Sequence, residues 1–71
     1  MKELDNFKEN LKNLRIENNL GQVELAKKLG VSKGVISLWE NALREPNMSS
    51  LITISKYFKF SINSLLGLDN E

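Results

Sequence analysis

The chain has 71 residues, of which 27% are charged, and ten Lys/Arg against nine Asp/Glu leave a formal net charge of only +1. Cysteine and histidine are absent, which excludes disulfide cross-links and zinc sites built from those residues. No apolar stretch approaches the ~20 residues of a membrane span, and the charged N-terminus has no apolar signal region, so a cytoplasmic location is expected.

The first predicted helix begins at Asp5 or Asn6 and ends at about Asn18. Both candidate first residues are good N-caps, and Asn19 can adopt the left-handed conformation that ends a helix. Apolar residues recur along this segment in steps of three and four, which is the spacing of one helix face. They are Leu4, Phe7, Leu11 and Leu14.

Two short helices are predicted next, joined by a tight turn. The second helix spans about residues 22–29, and Gly30 ends it because glycine adopts a positive φ at little cost. Ser32 is the expected N-cap of the third helix, which runs to about Asn41.

Two more helices complete the predicted fold. The fourth follows Pro46 with Asn47 as its N-cap, and the fifth covers about residues 62–66 between Ser61 and Gly67. No segment alternates between polar and apolar residues for long, so we predict an all-α bundle of five helices without a sheet.

The second and third helices form a helix-turn-helix pattern. Ala26 is small, which lets the third helix cross close to it, and Gly30 follows four residues later at the turn. The inward apolar positions are expected to fill the core below the turn. They are Leu25, Leu29, Ile36 and Trp39.

The segment GQVELAKKLGVSKGVISLWENALREPN resembles the helix-turn-helix of the phage-repressor/Cro-like family, also called Xre-like. The shared features include Gln22, Leu29-Gly30-Val31-Ser32, Trp39-Glu40 and Glu45-Pro46. The resemblance continues through LITISKYFKFSINSLLG and covers about residues 7–67. It implies a single lambda-repressor-like DNA-binding domain over residues 1–71 with short tails, usually part of a dimeric transcriptional regulator of the repressor type.

The resemblance also implies which side chains meet double-stranded DNA. The third helix, residues 32–41, would lie in the major groove and contact bases. The base-contacting residues would be Lys33, Gly34, Ser37 and Leu38. The phosphate-contacting residues would be Gln22, Ser32, Asn41, Arg44 and Arg15.

Five of these residues have a simpler structural alternative. Gln22 and Lys33 can be solvated surface residues, and Ser37 can bond back to its own helix backbone. A glycine inside a helix costs about 1 kcal/mol relative to alanine. Gly34 could let the helix sit deeper in the groove while Leu38 packs on a thymine methyl, or neither residue touches a base and Leu38 packs against a neighbouring element.

Two structural expectations also come from the resemblance. Arg15 in the first helix is expected to pair with Glu40, which ties the first helix to the end of the third. Ala42 stands where the family often has glycine. If its backbone is left-handed, the alanine is strained by about 1 kcal/mol.

The expected partners are double-stranded DNA and a second copy of the chain, with no cofactor, metal, membrane or small-molecule ligand. Half-sites of an inverted repeat would lie about 34 Å apart. The candidate self-interface, which can equally be core or a frayed tail, is Ile62, Leu65, Leu66 and Leu68. The alternative function is a protein-interaction or antitoxin-like module on the same fold. Without histidine or cysteine the usual general base and thiol nucleophile are missing, so no enzyme is expected.

Overall fold

The computed structural model describes residues 2–69, and within that range it contains five α-helices and no strand. The predicted all-α class is therefore confirmed. The helices are α1 (Lys2–Glu17), α2 (Gln22–Leu29), α3 (Lys33–Glu40), α4 (Met48–Phe58) and α5 (Ile62–Leu66).

Helix α1 begins earlier than the sequence predicted. It is already helical at Lys2, so the prediction that Asp5 or Asn6 is its N-cap is wrong. Asp5 instead lies in the first turn, where its charge interacts favourably with the helix dipole. Leu4 packs against the core and gives the extra turn an apolar contact. The end of α1 is close to the prediction, and Asn19 is left-handed with φ 57°.

The other predicted helix ends are present in the structure. Ser32, Asn47 and Ser61 each accept a hydrogen bond from a backbone N–H three residues further on. Gly30 and Gly67 end α2 and α5 with φ 73°. These boundaries follow from local chemistry, because the capping groups satisfy backbone donors and acceptors that a helix end leaves unpaired.

All five helices contribute to one hydrophobic core. Trp39 is only 3% exposed and meets Phe7 edge to face, with ring centroids 6.2 Å apart. Its indole Nε1 has no hydrogen-bond partner among residues 2–69. This tryptophan therefore packs in the core instead of offering its ring to a base. The fully buried large side chains are Phe7, Leu11, Leu25, Ile36, Ile54 and Leu65.

Two asparagines of α1 hold the C-terminal end of α5. Asn10 Nδ2 donates to the carbonyls of Ser64 and Leu65, at 3.0 Å each, and Asn6 Nδ2 donates to the Leu66 carbonyl at 3.1 Å. A helix of five residues is not stable alone. These side-chain bonds, together with the burial of Leu65, dock α5 onto α1.

Most of the apolar residues considered for a self-interface belong to the core. Leu65 is fully buried, and Ile62 and Leu66 are half-buried and pack against the core cluster. Leu68 is 36% exposed. Of the two alternatives left open by the sequence, core packing is thus the one found for the first three residues.

Candidate nucleic-acid interface

Helices α2 and α3 form a helix-turn-helix unit around Gly30. The N–H of Val31 donates to the carbonyl of Ala26 at 3.0 Å, and that of Gly30 to Lys27 at 3.4 Å, which closes the end of α2. A Cβ added at Gly30 would meet no atom within 4 Å. The turn therefore needs glycine for its positive φ and not for space. Ala26 is 3% exposed, as expected for a residue beneath a closely crossing helix.

Helix α3 has a buried face and an outward face. Ile36 is fully buried, and Trp39 and Glu40 are 3% and 8% exposed. The outward face contains the four residues predicted to contact bases. Of these, Lys33 and Gly34 are exposed, whereas Ser37 and Leu38 are half-buried. The fold thus brings all four to the same side of α3.

The space around Gly34 is open. A Cβ added there would meet only the Ser32 hydroxyl oxygen at 3.7 Å, which is an ordinary van der Waals contact. The backbone is helical and does not require glycine. The chain's own packing therefore gives no reason for the missing side chain.

Polar groups at the two ends of α3 are partly used by the helix itself. The Ser32 hydroxyl oxygen accepts the N–H of Val35 at 3.2 Å, which leaves its own hydrogen free to be donated. Asn41 Nδ2 donates to the Ser37 carbonyl at 2.8 Å and lies 3.5 Å from the Ser37 hydroxyl. Both contacts of the Asn41 amide nitrogen are thus to Ser37, and the one to the hydroxyl is long and weak.

The loop after α3 begins with a left-handed alanine. Ala42 has φ 58°, and its N–H donates to the Trp39 carbonyl at 3.2 Å, while the N–H of Leu43 donates to the Leu38 carbonyl at 2.9 Å. These two bonds form a Schellman motif, in which glycine is usual at the left-handed position. Arg44 follows in the loop and is exposed. The left-handed backbone of Ala42 therefore sets the direction in which the chain leaves α3 toward Arg44.

The side chains of Arg15, Gln22 and Glu40 meet at the junction of α1, α2 and α3. Arg15 Nε donates to Glu40 Oε2 at 2.7 Å and Arg15 Nη2 to Glu40 Oε1 at 3.0 Å, so the predicted ion pair is present and is bidentate. Arg15 Nη1 also donates to the Leu20 carbonyl at 3.0 Å. The hydrogen bond that Arg15 donates to Glu40 raises the pKa of Arg15, burial lowers it, and the charge of Glu40 raises it further. Arg15 is therefore held in its charged form.

Gln22 joins the same cluster, which the sequence did not indicate. Its Nε2 donates to Glu40 Oε1 at 3.2 Å. Three of the five N–H groups of Arg15 are used inside the chain, so two remain without an intramolecular acceptor. The five predicted phosphate-contacting residues therefore differ in availability. Arg44 has no salt bridge within residues 2–69, whereas Arg15, Gln22, Ser32 and Asn41 all have intramolecular partners.

Residues 2–69 were also compared with the requirements of a metal site and of a membrane span. Over residues 2–69, no group of three or more acidic side chains is placed to hold a metal ion. None of the helices in that range has both the length and the apolar character to cross a bilayer. The outward face of α3 and the residues at its two ends remain the best candidate for a binding surface.

Comparison with solved structures supports the resemblance of the fold to a DNA-binding repressor. The profile of the helix-turn-helix family matches residues 11–65. The P22 c2 repressor protein, solved in complex with the synthetic operator 9T in the presence of Tl⁺, superposes with a TM-score of 0.82. The two are 35% identical, over 89% of this chain and 96% of the repressor chain.

Curated relatives carry the same motif. The chain is 48% identical over 61 residues to the HTH-type transcriptional activator BcrR of Enterococcus faecalis. It is 39% identical over 66 residues to the uncharacterized HTH-type transcriptional regulator YqaE of Bacillus subtilis, and 38% identical over 65 residues to MJ0272 of Methanocaldococcus jannaschii, another uncharacterized HTH-type regulator. The matches cover 86%, 92% and 92% of this chain. The chain spans 30%, 57% and 98% of these relatives, respectively.

Proposed function

This chain belongs to the Cro/C1-type helix-turn-helix family, and on that premise we propose that it binds double-stranded DNA sequence-specifically as a transcriptional regulator of the repressor type. The observation that carries the proposal is the outward face of α3, where Gly34 leaves a gap that the chain's own packing does not require. The relative that favours repression is the P22 c2 repressor, of which this chain covers 96%. This chain spans only 30% of the length of the activator BcrR.

In this proposal α3 lies in the major groove. Lys33 is exposed at its first turn and has the length to donate to guanine O6 and N7 or to a phosphate. The gap at Gly34 lets the helix approach the base edges, and Leu38 packs on a thymine methyl. Ser37 donates its hydroxyl hydrogen to a base acceptor. Few amide side chains are involved, so shape and apolar contact determine much of the preferred sequence.

Phosphates of the duplex would be bound around this helix. Gln22 and Ser32 stand at the starts of α2 and α3, where free backbone N–H groups and the helix dipole favour an anion. Asn41 and Arg44 bind the backbone on the other side of the groove. Arg15 contributes one of its two remaining N–H groups. Binding should weaken steeply with salt, as it does when cations replace counterions on DNA.

We further propose that the regulator acts as a homodimer on an inverted repeat, in the cytoplasm. One eight-residue α3 can read only a few base pairs. Two copies related by a two-fold axis would place their α3 helices about one helical turn of DNA apart, or about 34 Å.

Selection from a pool of random duplexes tests this function directly. The expected result is enrichment of an inverted repeat with half-sites one turn apart. Enrichment of a single half-site would contradict the dimer and leave the sequence-specific reading intact. Absence of any enrichment at low salt would contradict the function itself.

A protein-interaction module on the same fold is the second candidate. The observation that favours it is exposed apolar surface beside the loop after α3, where Leu43 is 74% exposed and Met48 is 65% exposed. Such residues are common in protein interfaces. If no duplex is enriched, this candidate becomes the better explanation of the fold.

A further inference from the structure

Glu40 shares one carboxylate between two other helices. It lies at the end of α3 and is 8% exposed, and it accepts two bonds from Arg15 of α1 and one from Gln22 of α2. A carboxylate offers about four acceptor sites, so the bidentate arginine does not exhaust it. The bond to Gln22 is therefore additional to the ion pair.

The shared carboxylate selects one orientation of the Gln22 amide. An ionised carboxylate only accepts hydrogen bonds, so the amide nitrogen and not the amide oxygen must face Glu40. One hydrogen of Nε2 is used in this bond at 3.2 Å, and the second stays free. Gln22 is half-buried at the first turn of α2. In the free protein its side chain is thus already partly ordered.

We propose that Glu40 is a positioning residue for DNA binding. It holds Gln22 so that the second N–H of the amide is offered to a non-bridging phosphate oxygen beside the start of α2, and Arg15 anchors Glu40 in turn. This inference rests on the DNA binding proposed above. A flexible side chain loses conformational entropy when it is ordered on binding. If it is already ordered in the free protein, this cost no longer opposes association, which corresponds to about a two- to ten-fold gain in affinity.

The test must separate positioning from folding, because removing one member of a buried ion pair leaves an uncompensated charge. The variant Arg15→Met/Glu40→Met removes both charges together, and such apolar replacements are often neutral or stabilising. It also leaves the net charge unchanged. A matched control, Glu9→Met/Lys12→Met, removes one charge of each sign at two exposed positions of α1.

The affinity for a 20-base-pair duplex is measured by fluorescence anisotropy in four proteins and in the control Glu9→Met/Lys12→Met. The four proteins are wild type, Gln22→Leu, Arg15→Met/Glu40→Met, and the triple variant. We expect Gln22→Leu to bind about ten-fold more weakly, the lower end of the range for one hydrogen bond to a charged group. The double variant should also bind more weakly, because it loses both the ordering of Gln22 and the N–H group that Arg15 offers to a phosphate. The triple variant should lose less than the product of the two separate losses, because part of the loss in the double variant acts through Gln22. The control should bind like wild type.

Two results would overturn the inference. In one, the double variant folds and binds like wild type. In the other, the double substitution lowers the affinity in the Gln22→Leu background by the same factor as in wild type, which would assign the whole effect to the direct Arg15–phosphate contact. If the double variant does not fold, Arg15→Leu/Glu40→Leu replaces it in the cycle, because this pair also removes both charges and the acceptor of the Gln22 amide. The same two results then overturn the inference.

Failure of the proposed function gives a different pattern. If the wild type binds no duplex at low salt, DNA binding is wrong and the positioning role is lost with it. If the wild type binds and only the four-protein comparison is additive, DNA binding stands and positioning is wrong. NMR of the free protein gives an independent readout, because a held Gln22 side chain shows a higher amide order parameter than in Arg15→Met/Glu40→Met.

Discussion

Gly34→Ala should move stability and DNA affinity in opposite directions. The added Cβ meets only the Ser32 hydroxyl oxygen at 3.7 Å, so the substitution introduces no clash within the chain. Replacing a helical glycine by alanine stabilises a helix by about 0.5–1 kcal/mol. For a domain of this size, that corresponds to a rise in Tm of about 2–8 °C.

The same methyl group should weaken sequence-specific binding. If α3 approaches the base edges at Gly34, the methyl must displace the helix or a base, and a lost base-level contact costs about 1–3 kcal/mol. We therefore expect the affinity for the selected duplex to fall about five-fold or more. Binding to a random duplex, which relies on phosphates, should change little.

Thermal melting by circular dichroism and anisotropy titrations of both duplexes measure the two effects. Asn13→Ala is the matched control, since this exposed position of α1 gains helix propensity by about 0.6 kcal/mol without altering α3. Its Tm should rise and its affinity should stay unchanged. Wild-type affinity in Gly34→Ala would refute the close approach of α3, and a lower Tm would refute the open space at this position.

Four other substitutions have defined outcomes. Arg15→Ala leaves Glu40 without its cation and should destabilise the fold by about 3–5 kcal/mol while weakening DNA binding; a native Tm would contradict the pairing. Ala42→Gly relieves a residue at φ 58° and should raise the free energy of unfolding by about 1 kcal/mol in urea titrations. Gly67→Ala should lower it by at least about 1 kcal/mol, since the residue has φ 73° and its new Cβ would collide with the Asn6 side chain; a neutral result would mean that α5 shifts freely. Leu38→Gln should change the selected sequence more than it changes the Tm, because this side chain is only half-buried; an unchanged selected sequence would place Leu38 away from the bases.

The starts of α3, α4 and α5 and the ends of α2 and α5 could be predicted from the sequence because the groups that determine them are adjacent in the chain. Ser32, Asn47 and Ser61 accept hydrogen bonds from N–H groups three residues away, and Gly30 and Gly67 adopt a backbone that other residues adopt only with strain. The division of α3 into a buried and an outward face also follows from its own periodicity.

The first turn of α1 could not be predicted in this way. Asn6 has the chemistry of an N-cap, but its amide donates to the Leu66 carbonyl, a residue sixty positions away. A side chain that can cap a helix can equally bond a distant carbonyl, and only the packing of α1 against α5 selects between the two. The same packing assigns Leu65 to the core instead of the surface.

Within the candidate site, the family resemblance predicted the pairing of Arg15 with Glu40, but nothing in the sequence predicted the bond of Gln22 to the same carboxylate. Spacing places Lys33, Gly34, Ser37 and Leu38 on one helix face, because a helix repeats every 3.6 residues. The meeting of Gln22 with Glu40 depends on how α2 crosses α3, and eighteen positions separate the two residues. Local hydrogen bonds and helical periodicity therefore determine the elements and their faces, whereas the crossing of helices decides which polar side chains share an intramolecular partner and which do not.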